Sequence, residues 1–124
     1  MLATLEAKKL IDDEHFSEVQ QVYTSNLPQE VVDNVGDTLI LITDVNTSLD
    51  LTGNNSFYAT NRQVEIQIFY KLDIDFDIEQ FELRLLKLFK DNHWSIADIR
   101  EHTVDPDTKQ MTAVFYVTQN KILN

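Results

Sequence analysis

Hydrophobic positions recur along this chain with two periods, and the order in which those periods alternate is its clearest feature. A helix returns side chains to one face every 3.6 residues and a strand every 2, so the period of an apolar pattern reports the element beneath it. Residues 2–14 read as a helix. Leu2, Ala3, Ala7, Leu10 and Ile11 form one apolar arc, Glu6, Lys9 and Asp13 lie outside it, and Leu5 falls off it. Residues 19–25 carry the β-type side chains Val22, Tyr23 and Thr24 and stop at Leu27-Pro28. Proline removes a donor and restricts the residue before it, so a strand ends there. Residues 29–37 form a polar connection closed by the turn signal Gly36-Asp37.

Residues 38–46 predict the next strand, with Leu39, Leu41, Thr43 and Val45 alternating against Ile40, Ile42 and Asp44. Both faces are apolar at its start, which predicts a central strand covered on both sides. Residues 47–60 are rich in Ser, Thr, Asn and Gly, yet carry Leu49, Leu51, Phe57 and Tyr58. This segment reads as a long connection, and loops of that length are often functional. Residues 61–72 give the clearest strand, where Val64, Ile66, Ile68 and Tyr70 alternate with Glu65, Gln67, Phe69 and Lys71. Asp77 and Gln80 have the spacing of a capping box, Phe81, Leu85, Leu88 and Phe89 follow at helical spacing, and Asn92 is the expected left-handed C-cap. The remainder reads as a hairpin. Trp94, Ile96 and Ile99 lead out, Asp105-Pro106-Asp107 turns, and Met111, Ala113, Phe115 and Val117 return opposite Thr112, Val114, Tyr116 and Thr118. The expectation is an α+β fold in one domain spanning 1–124. Its sheet is antiparallel or mixed, has about five strands, and packs with two helices in the order α-β-β-β-α-β-β.

Composition bears on partners more than on fold. Hydrophobic residues make up 43% of the 124, enough for a real core. The balance is acidic, 21 Asp and Glu against 10 Lys and Arg, for a net charge of −11. Such a surface repels nucleic acid and anionic membranes, because phosphate contacts need Lys and Arg. Lys8 and Lys9 are the only adjacent basic pair. Without cysteine the chain has no disulfide or thiolate chemistry. Residues 1–13 lack the apolar run of a signal peptide, and the aliphatic run 39–42 is far too short to cross a bilayer, so a cytoplasmic product is expected.

Candidate chemistry is sparse. Asp73, Asp75 and Asp77 start like a calcium loop, but the glycine and glutamate that such a loop needs at its sixth and twelfth positions are Ile78 and Arg84 here. These acids read instead as a solvated strand edge leading to a helix N-terminus. His15, His93 and His102 lack zinc-ligand spacing, and Glu101 and His102 would point to opposite faces of a strand. With only Gly36 and Gly53, neither a nucleophile elbow nor a phosphate loop can be built. No catalytic, cofactor-binding or metal residue is assigned, and no enzyme is expected.

The chain resembles the tail-terminator-like family of long, non-contractile-tailed bacteriophages, in particular the uncharacterised-domain branch from phages and prophages of Gram-positive hosts. The resemblance covers nearly the whole chain. It rests on the opening helix followed by Val22-Tyr23-Thr24-Ser25-Asn26-Leu27-Pro28, on Asn61-Arg62-Gln63-Val64-Glu65-Ile66-Gln67-Ile68-Phe69-Tyr70 with the acidic approach to the second helix, and on His93-Trp94-Ser95-Ile96 and Asp105-Pro106-Asp107-Thr108-Lys109-Gln110-Met111. It implies a ring-forming subunit, commonly a hexamer, at the head-proximal end of a tail. There it stops tube polymerisation and presents a surface to the head connector. Implied partners are further copies of itself, the major tail-tube protein and a connector or head-completion protein, without direct nucleic-acid recognition and without a membrane. The implied location is the host cytoplasm during assembly and then the virion. Within this reading Leu49, Leu51, Phe57 and Tyr58 are the candidate subunit or tube contacts. Another neck component is the alternative within the same class. A small acidic binding module of antitoxin or immunity type is the alternative outside it, since acidic charge complements a basic partner.

Overall fold

Helix α1, Ala3–Glu14, buries Ala3, Thr4, Ala7 and Ile11, the small residues letting its backbone lie close to the sheet. Leu5 is exposed, as its place off the arc predicts, but Leu2 is exposed as well (64%), because it precedes the first helical turn. The computed structural model of the protein describes residues 1–51 and 58–123. Strand β1 is Gln21–Thr24, and a short 3-10 helix at Gln29–Val31 leads to β2, Leu39–Leu51. Strand β3 is Tyr58–Phe69, helix α2 is Ile78–Asp91, and β4 (Ser95–Ile99), β5 (Thr103–Val104) and β6 (Met111–Leu123) complete the chain.

The strands form one six-stranded mixed sheet in the order β1-β2-β3-β6-β4, with β5 also paired to β6. The fold is therefore α+β, with the expected element order plus the two-residue strand β5. β1 joins β2 in parallel, Val22 opposite Ile40, and every other pairing is antiparallel. Alternation decides which side chains meet the helices. Ile40, Ile42, Val64, Ile66, Ile68, Tyr70, Ala113, Phe115 and Val117 all turn to one face, where α1 and α2 supply Ala7, Ile11, Phe81, Leu85 and Phe89. Phe81 is the hub of the aromatic packing, with the rings of Phe16, Phe76 and Tyr70 at 5.5, 5.7 and 6.2 Å. Leu39 and Ile40 are both buried, so β2 is covered on both sides at its start, as its sequence predicts.

Four expectations need correction. Residues 47–60 are not one long loop: β2 runs through Leu51 and β3 begins at Tyr58. Thr47, Ser48 and Thr60 look like loop residues locally, but their cross-strand partners are Arg62, Asn61 and Leu49, and Thr suits a pleated strand. The left-handed residue after α2 is His93 (φ 70°), not Asn92 (φ −108°). Asn92 instead donates its side-chain amide to the Leu88 carbonyl at 2.9 Å, and that bond uses an ordinary backbone conformation. β3 ends at Phe69, and residues 70–77 are irregular, with bends at Leu72, Asp73 and Phe76, rather than a strand edge. Their alternation persists because Ile74 and Phe76 pack on the core while Asp73 and Asp75 face water. β6 continues beyond Thr118 to Leu123, because β3 pairs with it that far. Of the expected capping box, the Asp77 half is present, its carboxylate accepting from Gln80 N at 3.1 Å.

Candidate assembly surface

The central strands are longer than the helices that cover them. At about 3.3 Å per residue, the 13 residues of β2 or β6 span roughly 43 Å. At about 1.5 Å per residue, the 12 residues of α1 and 14 of α2 span roughly 18 and 21 Å. The surplus lies at the β2–β3 end. There Thr47, Arg62 and Gln119 stand in register across β2, β3 and β6, and the strands continue beyond this row to Leu51, Tyr58 and Leu123. Four residues of β3 lie beyond Arg62, an extension of about 13 Å.

Arg62 marks where the helix layer stops. It occupies the next inward position after Val64, and it is 8% exposed. Its guanidinium donates to the Met1 carbonyl at 3.0 Å and to the side chains of Glu6 and Gln119. One cation thus joins the start of α1 to β3 and β6, and burial pushes its pKa down from the usual guanidinium value. The two terminal guanidinium nitrogens supply these bonds, while Nε is buried without a partner among the described residues, so the charge is only partly compensated.

Three of the sequence-proposed contact residues fall on the extension. Leu49 pairs with Thr60 and Leu51 with Tyr58, the last pairing of this antiparallel register. Tyr58 also pairs with Leu123. The structure therefore brings Leu49, Leu51 and Tyr58 together along neighbouring strands, while Phe57 lies outside the described residues.

The sheet face away from the helices carries Tyr23, Leu41, Thr43, Glu65, Gln67, Phe69, Val114 and Tyr116, all half-buried. Glu65 accepts from the Tyr116 hydroxyl at 2.9 Å, and the Arg100 guanidinium sits 5.4 Å over the Tyr116 ring. The 3-10 helix covers one end of this face and leaves a cleft of about 420 Å³ between Leu27, Val31 and Val32 on one side and Phe69, Gln110 and Thr112 on the other. A wider groove of about 570 Å³ separates the end of α1 from α2, bordered by His15, Phe16, Arg84 and Lys87.

A second polar cluster lies inside the helix–sheet layer, and sequence reasoning missed it. Tyr70 Oη donates to Glu82 Oε2, and His102 Nε2 approaches the same oxygen. The available signal was the place of Glu82 four residues after Ile78 and four before Leu86, on the apolar stripe of α2. That spacing implies burial but names no partner, because Tyr70 and His102 reach it only through the tertiary fold. Burial and the bond to Glu82 push the Tyr70 hydroxyl well above the ordinary tyrosine range, so it stays protonated and acts as a donor. The cluster fastens α2 to the sheet and to the segment after β4. Among the described residues, no group of three or more His, Asp or Glu side chains is placed to hold a metal ion, and no helix is long and apolar enough to cross a membrane.

Residues 2–123 match the model of a family described as a protein of unknown function, DUF806, and the chain belongs to that family. No curated protein matches it.

Proposed function

We propose that this family member is a ring-forming structural subunit of a bacteriophage tail, the terminator that stops growth of the tail tube and offers a joining surface to the head. The observation that carries this reading is the three-stranded extension beyond the helix layer, bearing Leu49, Leu51 and Tyr58. A sheet end that projects from its own core suits contact with another chain better than it suits catalysis, and the resemblance of the whole sequence to tail-terminator-like proteins points the same way. The subunit assembles with copies of itself, commonly six, and meets the major tail-tube protein on one ring face and a connector or head-completion protein on the other. A ring built from one repeated contact has two unlike faces, which this task requires. The net charge of −11 gives a bore that DNA crosses without adhering. The protein passes from the host cytoplasm to the head-proximal end of the tail in the virion.

An early stop codon in the gene, followed by electron microscopy of the induced lysate, tests the proposal. Free heads with tails of uncontrolled length are the expected result. Free heads beside tails of normal length would move the protein to another neck position, and intact virions would overturn the reading. Within the ring, Leu51→Asp or Phe57→Asp leaves the subunit folded and blocks assembly, and unchanged assembly of both variants would remove these residues from the contact.

A further inference from the structure

We infer that copies of this chain join edge to edge through the sheet, the free side of β2 in one subunit pairing in parallel with the free side of β6 in the next. The inference rests on the ring reading and specifies its contact. β1 pairs with β2 only over Leu39–Ile42. On the opposite side of the sheet, β4 leaves β6 at Thr118. Among the described residues, no strand pairs with the outer side of β2 from Asn46 to Leu51, or with that of β6 from Gln119 to Leu123. These edges are six and five residues long, within one residue of each other. Backbone N–H and C=O groups on a strand edge are obligatory hydrogen-bonding groups, and a row of them is a template for another strand.

Two further observations select a second copy as the occupant and fix how it sits. First, the free edges belong to different strands. Both β2 and β6 run antiparallel to β3, so they are parallel to each other. A rotation axis running along the strands preserves their direction, so β2 of one subunit meets β6 of the next in parallel. Such a head-to-tail contact closes into a ring when its rotation divides a full turn. Second, the charges on the edges are complementary: the β2 edge region carries Asp44 and Asp50, and the β6 edge carries Lys121. Like-with-like pairing is disfavoured. Two β2 edges crossing antiparallel about Thr47 set Asp44 opposite Asp50 of the other copy, and two β6 edges crossing about Lys121 set that lysine opposite itself. The bulge between Asp44 and Asn46 sits where β1 has already ended, and pairing with β3 is regular from there to Leu51.

Engineered cysteines test this directly, because the chain has none of its own. Asn46→Cys, Thr47→Cys and Ser48→Cys on β2 are each combined with Asn120→Cys or Lys121→Cys on β6, and the purified proteins are oxidised at high concentration. Within one subunit these strands are separated by β3, about 9–10 Å apart, too far for a disulfide to close inside the chain. The expected result is a ladder of covalent multimers on a non-reducing gel from at least one pairing, ending at the size that light scattering gives for the ring, with no cross-linking of the single-cysteine proteins. Covalent dimers from a single-cysteine protein would overturn the inference in favour of like-with-like pairing. Rings seen by light scattering without any ladder would overturn the edge contact and leave the ring reading standing. Monomers without a ladder would overturn self-association through these edges, and the tail-length phenotype would then decide the ring reading separately.

Discussion

Tyr70 Oη lies 2.5 Å from Glu82 Oε2, and His102 Nε2 lies 2.7 Å from that same oxygen, so one carboxylate of α2 holds the residue after β3 and the segment after β4 together. Tyr70 is fully buried and Glu82 is 8% exposed. Removing one partner of a buried acceptor forfeits its hydrogen bond and leaves desolvation uncompensated. Tyr70→Phe is expected to lower stability by about 1–3 kcal/mol in urea unfolding. An unchanged unfolding midpoint would show that the bond contributes nothing.

The same pair sets an alkaline limit. Burial first, and then the bond to Glu82, raise the Tyr70 hydroxyl above its ordinary value of about 10. Above about pH 10 the unfolded chain releases this proton while the folded chain keeps it, so the folded state binds more protons and stability falls as pH rises. Below about pH 10 the contribution is fully present. Tyr70→Phe should therefore flatten the loss of stability between about pH 9 and 11. Tyr116, raised by its bond to Glu65 on the sheet surface, acts in the same direction, so Tyr116→Phe measures its separate share of the slope. Equal slopes for wild type and Tyr70→Phe would refute the assignment.

Arg62 joins Met1, Glu6 and Gln119 through its guanidinium. Arg62→Ala removes one partner of Glu6 together with the donors to Met1 and Gln119 and opens a void at the end of the helix layer, and a loss of about 2–4 kcal/mol is expected in denaturant unfolding. Arg62→Met fills the space but leaves the Met1 carbonyl unbonded, so it should fall between wild type and Arg62→Ala. Amide exchange near residues 1–7 should accelerate in Arg62→Ala before the rest of the molecule responds.

The turn before β6 places Lys109 at φ 66°. Asp105 organises this turn, its carboxylate accepting from Asp107 N at 2.8 Å and Thr108 N at 3.1 Å, while Lys109 N donates to the Asp105 carbonyl at 2.8 Å. A side chain in the left-handed region is strained and glycine is not. Lys109→Gly should stabilise the fold by about 0.5–1 kcal/mol, read as a higher thermal midpoint. A lower midpoint would mean that the lysine side chain contributes more than the backbone strain removes.

Asp77 accepts from Gln80 N at the start of α2. Asp77→Ala leaves that N–H without its cap, and a loss of about 1 kcal/mol is expected. Asp77→Asn keeps an acceptor there and should recover most of it, which separates capping from the charge effect of the helix terminus.

Local patterns on the chain determined the two helices, the Asp77 cap, the central position of β2 and the turn at Asp105, because each of these is decided by neighbours within about one helical turn or one strand. The α+β class followed from their order. The tertiary structure alone decided which polar residues are strand rather than loop. Thr47, Ser48 and Thr60 are held by partners across the sheet, and β3 supplies the ladder that carries β6 to Leu123. It also decided that Arg62 ends the core, that Glu82 meets Tyr70 and His102, and that, among the described residues, β2 and β6 have no outer partner strand past Ile42 and Thr118. These are pairings between residues far apart in the chain, and periodicity records the face on which a residue lies but not the partner that waits there.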